Sequence, residues 1–162
     1  MSEITISEDA MRMIAQFESL TGASARDCVI DDKFDRILFV INPGEMGLAI
    51  GKKGASIKKA SEVFEKKVEV VEYNPDKVQF IRNCFLPVQV ITITFKEEEN
   101  GEIAYVEVNE DERGLAIGKE GRNIIKTKKL AFRQFDINNV ELKQNMNDED
   151  DNPLEDIDNS IQ

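Results

Sequence analysis

Apolar residues recur along the chain with two alternating periods, and the alternation passes through the same order twice. Between Ser7 and Gly22, Met11, Ile14 and Ala15 mark one face at helical spacing, and Met13, Phe17 and Leu20 widen it. Ser7 can cap this helix, Glu8 and Asp9 suit its positive start, and Gly22 can end it. The spacing then shifts to short runs rich in Ile, Val and Phe. Cys28 to Asp31 and Arg36 to Asn42 read as strands joined by a polar turn. A short helix ending near Ile50, a Gly-Lys-Lys-Gly turn, a helix from Ala55 to about Glu65 and a strand from Val68 to Glu72 complete the series.

The second series begins at Asn74-Pro75, where a proline in the first helical turn loses no hydrogen bond, and its helix runs from Asp76 to Phe85. Val88 to Lys96 and Ile103 to Asn109 alternate as strands, with Asn100-Gly101 as a hairpin signal between them. A short helix to Ile117, a Gly-Lys-Glu-Gly turn, a helix from Arg122 to about Phe135 and a strand from Asn139 to Leu142 follow. The pattern predicts an α+β protein of two modules, residues 1–73 and 74–144, each ordered α-β-β-α-α-β. With almost no linker between them, the modules are expected to pack as a rigid pair.

The repeat is also visible residue by residue. Residues 47–61 read GLAIGKKGASIKKAS and residues 114–128 read GLAIGKEGRNIIKTK, so nine of fifteen positions match at a shift of 67. One structural unit is used twice, and its most similar part is a glycine turn between two helices.

Charge sharpens this picture. The net charge of −11 is unfavourable for a partner made of phosphates, yet residues 145–162 carry seven acids and no base. The preceding residues carry 25 acids and 21 bases, a balance of −4. Within them, residues 51–67 hold six lysines against two glutamates, and residues 113–133 hold seven bases against Glu120 alone. Basic charge is therefore focused behind the two glycine turns. The last eighteen residues, poor in aromatics and rich in Asp and Asn, are expected to form a disordered acidic tail.

Several chemistries are disfavoured. The chain has no histidine, which removes the usual general base and every Ser-His or Cys-His pairing. Cys28 and Cys84 lie far apart without a CxxC, and read as small buried hydrophobes in a reducing compartment. No catalytic residue, metal site or cofactor is assigned. Glu97-Glu98-Glu99 and Glu110-Asp111-Glu112 are explained by solubility and by a helix start. With neither a basic-then-apolar leader nor an apolar run of membrane length, a cytoplasmic protein without membrane association is expected.

The turns themselves suggest phosphate recognition. Glycines admit close approach of an oxygen to the backbone, a following helix presents N–H groups and a positive dipole end, and Lys52 and Lys119 stand ready to neutralise charge. The bland reading is a tight helix connection with solvated lysines. Nucleotide loops fail on spacing: three residues separate Gly47 from Gly51, not the four of a Walker A loop, and no Gly-x-Gly occurs.

GLAIGKKGASI and GLAIGKEGRNI resemble the KH signature, an apolar residue, Ile-Gly, two variable residues, Gly, and Ile one turn later. A helix ahead of the first strand is similar to the prokaryotic, type II version. Two such modules in close tandem resemble NusA-type transcription factors, the small size resembles the archaeal ones, and the likeness spans about Ile4 to Lys143. The resemblance implies single-stranded RNA as partner, RNA polymerase as a second one, and a monomer modulating termination or antitermination through nascent RNA. The extra N-terminal and barrel domains of bacterial NusA are not expected here.

By the same resemblance, RNA contacts are expected at Gly51, Lys52, Lys53 and Gly54, and at Gly118, Lys119, Glu120 and Gly121. Each module would clamp about four nucleotides, backbone against the turn and bases in an apolar groove. Ile50, Ile57, Ile117 and Ile124 are the groove candidates, although each also falls where a helix would face its sheet as ordinary core. Lys58, Lys59, Arg122 and Lys126, with Lys128 and Lys129, extend the phosphate track or form a solvated face. Glu120 stands where the first turn has Lys53 and should weaken the second turn. Two alternatives stay open: a KH-type factor in ribosome assembly or RNA decay, and a magnesium-dependent enzyme acting on RNA or nucleotides.

Overall fold

A computed structural model describes residues 6–144; the acidic tail and the first five residues lie outside the described residues. The elements are α1 (Glu8–Thr21), β1 (Ala25–Asp31), β2 (Arg36–Ile41), α2 (Met46–Ile50), α3 (Ala55–Phe64), β3 (Lys67–Glu72), α4 (Lys77–Phe85), β4 (Val90–Glu98), β5 (Gly101–Val108), α5 (Arg113–Ile117), α6 (Arg122–Phe135) and β6 (Asn139–Leu142). The α-β-β-α-α-β order therefore occurs twice.

In the first unit β1 pairs antiparallel with β2, and β2 pairs parallel with β3. The parallel pairing is possible because α2 and α3 carry the chain back across the sheet. Ile37, Phe39 and Ile41 alternate toward these helices, and Phe17 of α1 stacks on Phe39 with ring centroids 4.2 Å apart. Ser7 caps α1 by accepting from the Ala10 N–H at 3.1 Å, and Gly22 ends it at φ 81°. Met11, expected on the inner face, is instead exposed, because Ala10 and Phe17 define the buried stripe.

The second unit repeats the topology, with β4 antiparallel to β5 and β5 parallel to β6. Even the irregularity at the start of the first strand recurs, between Ala25 and Asp27 in one copy and Val90 and Thr92 in the other. The hairpin differs from expectation. Glu98 pairs with Gly101, so Glu99-Asn100 forms the loop and Gly101 follows it at φ 111°. Arg113 donates from Nη1 to the Lys143 carbonyl at 2.7 Å, tying the start of α5 to the end of β6.

Compactness divides the chain between Cys84 and Phe85, so most of α4 clusters with the first unit although it opens the second sequence series. Its start is capped by Asp76, whose side chain accepts from the Val78 N–H at 3.0 Å, and Pro75 lies just outside the helix. Asn83 donates to the Glu72 carbonyl at 3.0 Å, and Phe80 lies 6.0 Å from Tyr73. Cys28 and Cys84 are both buried thiols. Among the described residues, no helix is long and apolar enough to cross a membrane.

Candidate nucleic-acid interface

Each glycine turn lies between a five-residue helix and a longer one, and the two turns have the same backbone path. Gly51 (φ 78°, ψ 169°), Lys53 (φ 55°, ψ 27°) and Gly54 (φ 79°, ψ 16°) correspond to Gly118 (φ 80°, ψ 165°), Glu120 (φ 58°, ψ 21°) and Gly121 (φ 83°, ψ 11°). The first glycine is required twice over. Its dihedrals belong to a region that side chains exclude, and a Cβ there would stand 2.6 Å from the Ser56 nitrogen, or 2.9 Å from the Asn123 nitrogen in the second turn. The second glycine has the same sign of φ, but a Cβ there would meet only ordinary van der Waals contacts with isoleucine side chains.

The hydrogen bonds correct one expectation. Gly54 and Gly121 donate back to the carbonyls of Gly51 and Gly118, each at 3.0 Å. The N–H groups of Ala55 and Arg122 donate to Lys52 and Lys119. Those groups hold the turn together, so they do not offer themselves to an anion. Lys52, Lys53, Lys58, Lys59, Lys119 and Glu120 are exposed, whereas Arg122 and Lys126 are half-buried. Arg122 donates from Nε to the Lys119 carbonyl at 3.4 Å.

None of the four isoleucines is fully buried, although Ile57 also packs against the core of the first unit. Ile50 is 37% exposed, and Ile57, Ile117 and Ile124 are only partly buried. Ile57 and Ile124 lie beside the second glycines, their Cγ2 atoms 3.9 and 3.8 Å from a Cβ built there. The core positions of the short helices are taken by Ala49 and Ala116 instead. Small alanines let these helices sit close to their neighbours, which leaves the larger side chains at the rim.

Two apolar residues beside the turns were missed by sequence reasoning. Leu48 and Leu115 occupy one repeat position and are 53% and 63% exposed. Both belong to the matched stretch, and their identity in the two copies was the available signal. Asn123 was also missed: it donates from Nδ2 to the Leu115 carbonyl at 2.8 Å, holding α5 to α6 across the turn.

A KH domain model matches residues 12–102, and a model of the NusA-like second KH domain matches residues 77–145. The chain belongs to the NusA-like family of KH-domain proteins. The probable transcription termination protein NusA of Halococcus morrhuae is 41% identical over 139 residues, covering 86% of this chain and 98% of that protein. The protein of the same description from Methanococcus vannielii is 37% identical over 145 residues, 90% of this chain and 82% of its own length. The crystal structure of APE1850 superposes with a TM-score of 0.79 at 33% identity, covering 85% of this chain and all of that one. Tandem KH membership accounts for the repeated turn of this NusA-like chain, and for the shared sheet topology around it.

Proposed function

We propose that this NusA-like chain binds single-stranded nascent RNA through its two glycine turns and thereby modulates transcription termination or antitermination. The observation that carries the reading is the pair of turns with one backbone path, each bordered by exposed lysine and by apolar side chains that remain partly open. Phosphates lie against Gly51–Gly54 and Gly118–Gly121, where Lys52, Lys53 and Lys119 neutralise charge and Lys58, Lys59, Arg122 and Lys126 continue the track. Bases lie across Ile50, Ile57, Ile117 and Ile124, with Leu48 and Leu115 at the edge. Apolar surface next to phosphate-binding charge suits an unpaired strand, whose bases can leave water while its backbone remains solvated.

The protein acts as a cytoplasmic monomer beside RNA polymerase and leaves the RNA chemically unchanged. Both units engage one continuous strand, and the covalent connection raises affinity above that of either half. The deciding experiment pairs Lys52→Asp/Lys53→Asp with Lys119→Asp/Glu120→Asp and measures RNA affinity at several salt concentrations beside a thermal melt. Affinity should fall in both, more in the first, which loses two positive charges rather than one. Wild-type affinity in both variants, with folds intact, would return the turns to mere helix connections. Recovery of the tagged chain with ribosomal subunits rather than polymerase subunits would instead favour ribosome assembly.

A further inference from the structure

The two long helices behind the turns part company after the repeated stretch. The shift of 67 aligns Ala55–Phe64 of α3 with Arg122–Ala131 of α6, but α6 has 14 residues against 10 and continues for another turn, Phe132–Phe135. In a chain of net charge −11, α6 holds five bases and no acid. Its buried side is Thr127, Leu130, Ala131 and Gln134. At 3.6 residues per turn, the opposite side is centred on Ile125, Lys129 and Phe132, with Lys128 alongside.

Phe132 is 53% exposed, an aromatic ring on the most basic helix of the protein. Ile125 joins it to the glycine turn: its Cδ1 is 3.5 Å from a Cβ built on Gly121, and Phe132 lies two turns, or about 10 Å, further along the axis. An apolar strip edged by lysines thus starts at the turn and runs down the outer face of α6. The first unit has no counterpart, since Lys58, Ser61, Glu62 and Glu65 stand at the positions of Ile125, Lys128, Lys129 and Phe132.

We propose that the outer face of α6 is a second single-stranded RNA surface, on which Phe132 stacks a base while Lys128 and Lys129 meet the flanking phosphates. It takes RNA that runs beyond the segment held by the Gly118–Gly121 turn, and the proposal rests on the RNA-binding reading above. An aromatic face between lysines fits a polyanion carrying π-faces. It also offsets Glu120: the unit with the less basic turn has the more basic helix.

The chain contains no tryptophan, so Phe132→Trp in the full chain places a single indole at this position. An RNA of roughly a dozen nucleotides should quench its emission, and one of about four nucleotides should do so far less. Phe132→Ala should weaken the longer RNA on the order of tenfold, leave the shorter one unchanged and keep the thermal melt. Unquenched emission at saturation, or equal affinity of Phe132→Ala for the longer RNA, would overturn this inference while the loop-lysine losses still stand. Loss of polymerase recovery with RNA affinity intact would assign the face to a protein and overturn it too. No binding to RNA of either length would overturn both readings.

Discussion

Lys53 and Glu120 share one left-handed backbone conformation at the middle of their turns, φ 55° and φ 58°, although their charges are opposite. The backbone therefore tolerates either side chain at either place, and exchanging them isolates charge from shape. Glu120→Lys should raise RNA affinity several-fold and Lys53→Glu should lower it. The slope of log affinity against log salt should steepen by about 0.7 for each single-strand phosphate newly neutralised, and flatten by as much for each one released. Both side chains are exposed, so stability should move by no more than about 0.5 kcal/mol. Equal affinities across the exchange, in salt titrations with a single-stranded oligonucleotide, would remove phosphate from this position.

The two glycines of each turn should respond differently to substitution. Gly51→Ala forces a Cβ to within 2.6 Å of the Ser56 nitrogen at dihedrals that disfavour any side chain, and should cost about 1–3 kcal/mol. Gly54→Asn meets only Ile57 Cγ2 at 3.9 Å, in a left-handed conformation that asparagine adopts, and should cost well under about 1 kcal/mol. Denaturant midpoints of the two variants check the ranking, and a larger loss for Gly54→Asn would contradict the turn geometry.

Much of this architecture was legible because local and global signals agree. The 67-residue shift that aligns Gly51 with Gly118 in sequence also aligns their dihedrals, since only glycine fits that path. Ser7, Gly22 and the bounds of α6 and β6 followed from capping and periodicity for the same reason. The hairpin at Glu99-Asn100 was misplaced by one residue, because Asn-Gly signals a turn without showing which side of the glycine pairs first. The repeat did not show that most of α4 joins the first unit, where Phe80 lies near Tyr73 and Asn83 donates to the Glu72 carbonyl. Ile50, Ile57, Ile117 and Ile124 were ambiguous between core and groove. The decision lay with Ala49 and Ala116, whose small size sets how closely the short helices approach.

On the hairpin of the second unit, the Tyr105 hydroxyl donates to Glu98 Oε2. That hydrogen bond to the neutral phenol, first among the causes, raises the Tyr105 pKa from 10.0 to about 12. The folded value lies above the unfolded one, so the contribution to stability is complete below about pH 10 and is lost as pH rises through about 12. Ultraviolet titration of the wild type against Tyr105→Phe isolates this phenol. Glu98→Ala removes the acceptor and should bring its ionisation down toward about 10, and an unshifted titration in that variant would mean Glu98 is not the cause.

Arg36 is 1% exposed at the start of the central strand of the first sheet, where sequence reading saw only the start of a strand. The antiparallel register sets it opposite Asp31, which accepts from Nε at 2.8 Å, and Glu69 of β3 accepts from Nη1 at 3.3 Å. Its guanidinium also lies 4.9 Å from the centre of the Phe34 ring. Arginine suits the place because one planar group reaches two carboxylates and an aromatic face together. Desolvating three charged groups makes the net worth of such a cluster small, but removing one member leaves buried charge uncompensated. Arg36→Met should therefore destabilise the protein by about 3–5 kcal/mol. Replacing all three by apolar residues of similar volume should recover most of that loss. Chemical denaturation of the single and triple variants checks both. Because the cluster is buried, the single-variant loss should persist at high salt, where exposed pairs are screened. A loss that vanished with salt, or a triple variant as unstable as the single one, would show that packing around Arg36 rather than its charge holds this end of the central strand.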